Sequence, residues 1–158
     1  MLGGLTAEYV VDSVAEIFVN ALTHAHSDVG VVASGHYFRA REQLELSVLD
    51  LGIGIPASIA ARLDRREDQI DPARAIAWAF KRGSSSVRTS RGLGLATFYD
   101  FLARSEATLV VLSGRGAGRL AGGMWETFTL PTRFPGTLFD LTVPTAKVQR
   151  PGAPEGTI

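Results

Sequence analysis

The sequence predicts an α/β (α+β) two-layer sandwich: a mixed, mostly antiparallel sheet with about three helices on one face. Three observations predict it. Apolar residues recur at the three-and-four spacing of buried helical stripes near residues 6–25, 72–82 and 96–104. Residues 44–49 and 138–143 instead alternate apolar and polar side chains, the period of strands buried on one side. The chain has 158 residues and 46% apolar composition, enough for one globular domain with a core of its own.

The first helix is expected over 6–25, with Thr6 as its N-cap. Val10, Val11, Val14, Ile17, Phe18 and Ala21 form its apolar stripe, while Glu8, Asp12, Glu16, Asn20 and His24 recur every fourth position on another flank. Successive members of that polar row stand about 6 Å apart along the axis. A carboxylate, an amide and an imidazole so aligned suit a metal-bound polyphosphate, and equally suit a solvated outer face.

Two strands are expected at 29–34 and 44–49, paired through the Arg-rich turn around 38–42. Continuing the alternation places Asp50 on the face of Leu44, Leu46 and Val48, the core side, where a carboxylate needs a donor. Gly52 and Gly54 follow at once and allow a sharp exit and a close backbone approach to a ligand; an aspartate capping its own turn is the alternative reading. Residues 57–70 read as a short helix and a charged loop. Asp71 and Pro72 then open a helix over 72–82, with Ala73, Ile76, Ala77 and Phe80 as its stripe and Gly83 as its terminator.

Residues 84–91 are small, polar and basic, the composition of a lid or of an ordinary surface loop. From Pro72 to Tyr99 there is no acidic residue, while Arg74, Lys81, Arg82, Arg88 and Arg91 are present, so the stretch attracts anions. Gly92, Leu93, Gly94 and Leu95 lead into the helix at 96–104, whose N-terminal N–H groups suit phosphate, although such glycines also serve close packing. Three more strands are expected at 108–113, 124–130 and 138–143, the first two joined by a loop containing Gly114, Gly116 and Gly118. Thr137 shares parity with Phe139, Leu141 and Val143, which turns its hydroxyl inward beside Asp50. Residues 145–158 read as a Pro- and Gly-rich tail after a domain at 1–144.

Composition narrows the functional classes. Sixteen basic and sixteen acidic residues cancel, which argues against a general nucleic-acid or membrane-surface binder. Cysteine is absent, leaving no disulfide or thiolate metal site, and no long apolar run suggests a membrane segment; a cytoplasmic setting is expected. The lack of a Gly-x-x-x-x-Gly-Lys-Ser/Thr run excludes a P-loop.

Taken together, four motifs in order resemble the GHKL nucleotide-binding domain of gyrase, ninety-kilodalton heat-shock chaperones, histidine kinases and MutL proteins. Glu16-x-x-x-Asn20 with His24 is similar to the N box, and Asp50-x-Gly52-x-Gly54 to the first glycine box. Phe80 with Gly83, Ser84 and Ser85 is similar to the phenylalanine box and lid, and Gly92-Leu93-Gly94-Leu95 to the second glycine box. Pro135-Gly136-Thr137 is similar to the family's adenine-side threonine segment. The resemblance covers about residues 8–144 and is nearest the histidine-kinase-like ATPase and anti-sigma kinase branch.

It implies a Bergerat-type fold and ATP with Mg²⁺ as ligands. Asp50 would accept from the adenine amine, supported by Thr137; Asn20 would hold Mg²⁺, Glu16 would act as general base, and the Gly92 to Gly94 backbone would cradle phosphate. His24, Ser84, Ser85 and Arg91 would line the phosphate side.

The resemblance further implies a signalling module that acts on a partner protein or flanking domain by phosphotransfer or ATP-controlled binding. An ATP-operated dimerising clamp and a non-catalytic ATP sensor are the alternatives. Only fifteen residues precede Glu16, fewer than relatives carry, so an N-terminal strand or upstream region beyond this sequence is expected. His24, His26 and His36 are followed by Ala, Ser and Tyr, unlike a phosphoacceptor, so a self-contained histidine kinase is not expected.

Overall fold

Alternation along the strands builds the sheet. The computed structural model describes residues 11, 12, 14, 15, 17–19, 29–81, 99, 102, 103 and 105–146. In it, β1 (Val31–Phe38), β2 (Gln43–Asp50), β3 (Thr108–Ala121) and β4 (Met124–Pro144) form one four-stranded sheet in the order β1-β2-β4-β3. Each neighbouring pair is antiparallel, so among the described residues the mixed sheet expected from the sequence has no parallel pair. The architecture is α+β.

β1 and β2 are joined as expected by a short Arg-rich turn. A single 3₁₀ turn at Arg39–Arg41 leads to Glu42 in the left-handed region at φ 45°, and the Arg41 guanidinium lies 4.0 Å from the Phe38 ring centre. β2 and β4 meet across a much longer stretch of chain. The Ser47 hydroxyl donates to the Asp140 carboxylate at 2.5 Å across a sequence separation of 93.

The second half of the sheet corrects two expectations. The glycine-rich stretch read as a loop is part of β3, and the two segments expected at 124–130 and 138–143 are one strand of 21 residues, turning back from β3 at Gly122 and Gly123. Turn residues misdirect the sequence reading here because the strand carries bulges. Pairing slips between Ser113 and Gly114 and again between Gly114 and Gly116, and Pro131 and Pro135 occupy the slipped part of β4, where no ladder N–H is needed. The Arg115 guanidinium fills the wider bulge by donating to the carbonyls of Pro131 at 3.0 Å and Leu130 at 3.4 Å.

Two helices are described with both ends. α1 (Ile55–Arg62) begins two residues before the helix expected in 57–70. α2 (Pro72–Ala79) starts where the sequence places it: the Asp71 carboxylate accepts from the Arg74 N–H at 3.1 Å, and Pro72 fills the first helical position, whose N–H would have no partner. It ends at Ala79, short of the expected residue 82, with Phe80 as its C-cap. Ile76 and Phe80 are buried as expected, whereas Ala73 and Ala77 are only half-buried and Ala75 completes the buried set.

The glycines of β3 explain how closely α2 approaches the sheet. A Cβ on Gly116 would lie 2.6 Å from both the Pro72 carbonyl oxygen and Ile76 Cγ1. Strand and helix therefore touch with no room for a side chain between them.

Within the two other helical stretches, Val11, Asp12, Val14, Ala15 and 17–19 are helical, as are Tyr99, Leu102 and Ala103. Ile17, Ile76, Phe80 and Leu102 close over Val48, Leu109, Val111, Leu120, Phe139, Leu141 and Val143 in one core. Each such side chain contributes about 1.5 to 3 kcal/mol on full burial. Among the described residues no helix is long and apolar enough to cross a membrane.

Candidate functional site

At one end of the core the inward parity of three adjacent strands is occupied by polar side chains. Asp50 closes β2 and faces Thr137 of β4 as its register partner, and Thr137 in turn faces Ser113 of β3. Their exposures are 3%, 5% and 0%. These are positions that alternation otherwise gives to Val48, Phe139 and Val111. A buried carboxylate and two buried hydroxyls must therefore satisfy one another or a ligand.

They are connected. The Gly52 N–H donates to Asp50 Oδ1 at 2.9 Å, and Thr137 bonds the same carboxylate through its backbone N–H and its hydroxyl. Ser113 Oγ lies 2.9 Å from Thr137 Oγ1, accepts from the Ile55 N–H at 2.7 Å and lies 3.2 Å from the Gly136 carbonyl oxygen. Burial pushes the Asp50 carboxyl above the usual carboxylate range, and the donors from Gly52 and Thr137 pull against that rise.

The backbone around this row is tightly set. Gly54 is the N-cap of α1 at φ +83°, with its Cβ position 3.0 Å from Ser113 Oγ, so the turn after Asp50 brings the first N–H of α1 onto Ser113. Gly136 is more demanding. At φ +91°, a Cβ there would sit 2.0 Å from the Asp50 carbonyl oxygen, so only glycine lets β4 pass this close to the end of β2. Outside the row, Arg133 ion-pairs with Glu67 and donates to the Ile53 carbonyl at 3.2 Å, which ties β4 to the glycine turn.

The structure thus brings Asp50, Gly52, Gly54 and Thr137 together. Phe80 lies in the core, its ring centre 4.7 Å from Trp125 and 6.4 Å from Phe139. Glu16, Asn20, His24, Ser84, Ser85, Arg91, Gly92, Leu93, Gly94 and Leu95 lie outside the described residues. Ser113 is the member that sequence reasoning missed. The signal was available in its own strand, where Leu109, Val111 and Ser113 share parity, but the loop reading of the following glycines ended the strand at that residue.

The row sets buried donors and acceptors beside a glycine turn. At 3% exposure Asp50 is shut off from bulk solvent. Compared with protein-family models and with curated proteins, the chain matches none at a significant level.

Proposed function

We propose that this chain is a Mg²⁺-dependent ATP-binding domain of the GHKL kind, with a Bergerat-type fold and a signalling or regulatory role toward a partner protein. The observation that carries this reading is the Asp50–Thr137 pair: a buried carboxylate at the end of β2, in register with an inward threonine of β4 and followed by the Gly52–Gly54 turn. Asp50 would accept a hydrogen from the exocyclic amine of adenine, and Gly136 lets β4 lie close enough against the end of β2 to keep Thr137 beside it. ATP supplies the phosphoryl group.

By the resemblance, Asn20 would hold Mg²⁺, Glu16 would activate the attacking group and the residues around Gly92 and Gly94 would bind phosphate. No cluster of three His, Cys, Asp or Glu suited to a metal ion occurs among the described residues, so the Mg²⁺ assignment rests on Asn20 alone.

Calorimetric titration with ADP tests the reading. Changing Asp50 to Asn or Ala removes a charge-assisted contact, and affinity should fall by about 1.5 to 3 kcal/mol. GTP should bind poorly to the parent, because its ring presents a carbonyl where adenine presents the amine. Equal ADP binding by Asp50→Asn and the parent would reject the adenine assignment.

A further inference from the structure

We infer that the outer face of the sheet, opposite the core and directly behind the Asp50 row, docks a basic amphipathic helix of a partner protein. The inference stands on the sheet alone and does not need the adenine assignment. Ile17, Ile76 and Leu102, from three helical stretches, pack with Val48, Phe139 and Val111 on the inner face. On the outer face alternation should give polar side chains to water. One row departs from this. Val32, Leu49, Leu138 and Leu112 are register partners across all four strands, and each is the chain neighbour of Val31, Asp50, Thr137 or Ser113 in the inward row. Val32 is 62% exposed, and the three leucines are half-buried.

The shape of this row selects a helix. It is one residue wide and crosses three inter-strand gaps, about 14 Å. The next outward row, Ser34, Ser47, Asp140 and Val110, is mostly polar. A second sheet would bring a broad apolar face, whereas the apolar stripe of a helix is narrow and covers 14 Å in about nine or ten residues.

Charge selects the kind of helix. Glu45 and Asp140 are diagonal neighbours on β2 and β4, positions about 7 to 8 Å apart. Glu45 accepts from the Gln43 amide at 2.9 Å and Asp140 from the Ser47 hydroxyl at 2.5 Å, both neutral donors that leave the two charges in place. From the Val32 row to the row of Phe38, Gln43 and Pro144, the outward positions of the four strands hold no Lys or Arg. Arg41, on the Phe38 ring, stands in the turn three rows from Val32. A second copy of this chain would bring the same acids and no outward cation to meet them. A partner helix with Lys or Arg flanking its apolar stripe meets both features. Because stripe and polar row are carried by the same strands, a helix seated here bears on the strands that hold Asp50, Thr137 and Ser113.

The probe is a labelled peptide of about 14 residues, long enough for a helix, with leucine at three-and-four spacing and lysine elsewhere; its control carries glutamate in place of lysine. Fluorescence anisotropy follows both during titration with the full chain. The lysine peptide should bind the parent and the glutamate peptide should not. Val32→Gln, on the exposed edge, and Leu138→Gln should each weaken binding at least about tenfold. Glu45→Gln and Asp140→Asn should each weaken it roughly two- to fivefold, a difference that vanishes at about 1 M salt. Phe128→Gln, an exposed apolar position on the distal part of β4, should change nothing. Equal affinity for the two peptides, or no binding of the lysine peptide, overturns the inference. So does a loss in Phe128→Gln as large as in Leu138→Gln, which marks general adhesion to apolar surface. A parent that dimerises, and a Leu138→Gln variant that does not, gives the face to a second copy and overturns it as well.

Discussion

Asp50 is costly to the ligand-free protein, because burial favours its neutral form and raises its pKa. The folded chain thus binds this proton more readily than the unfolded chain, and stability from this group is gained as pH falls. The burden is complete above the raised folded value and gone below the ordinary 3.8. Asp50→Asn carries no such burden. The melting temperature of the variant relative to the parent should therefore be higher at pH 7 than at pH 4 in thermal scans without nucleotide; a constant difference would mean that the carboxylate is fully compensated by its donors. Single residues were also the most legible scale in the sequence. Parity alone turns Asp50 and Thr137 inward, and within the expected strand 108–113 the same alternation turns Ser113 inward with Leu109 and Val111, although as the last residue before an expected loop it drew no attention.

Elements were legible where their signals are local and opaque where packing decides. The Asp71-Pro72 start of α2 and the turn between β1 and β2 follow from side-chain capping and loop chemistry, which a short window of sequence contains. The course of β3 and β4 does not. Proline and glycine mark breaks in a window, yet here bulges accommodate Pro131 and Pro135, and Gly116 serves the approach of α2. Gly116→Ala tests that last point. Its Cβ would meet backbone and Ile76 at 2.6 Å, so the variant should lose about 1 to 3 kcal/mol, or roughly 2 to 12 °C in melting temperature. An unaltered melting temperature would show that helix and strand have slack between them.

For the whole molecule, the proposed function turns on what nucleotide binding would do. Glu16 and Asn20 stand one helical turn apart in sequence. On the proposed assignment, Glu16→Gln keeps shape and removes the base, so ADP affinity should survive while ATP hydrolysis or transfer to a partner falls at least about tenfold. Turnover assays on parent and variant check this; equal rates would remove Glu16 from the chemistry, and a parent with no turnover would favour the sensor. An ATP analogue that doubles the mass in solution would favour the clamp.

The pairing of β2 with β4 has a different kind of consequence. Joining residues 93 positions apart costs chain entropy before any contact repays it, and sheets built from such distant pairs form slowly. Asp50 precedes β4 in the chain, so before β4 docks its carboxyl lacks the two donors that Thr137 supplies. A shortened chain lacking β4 would leave Asp50 and Ser113 without the Thr137 that stands between them in register.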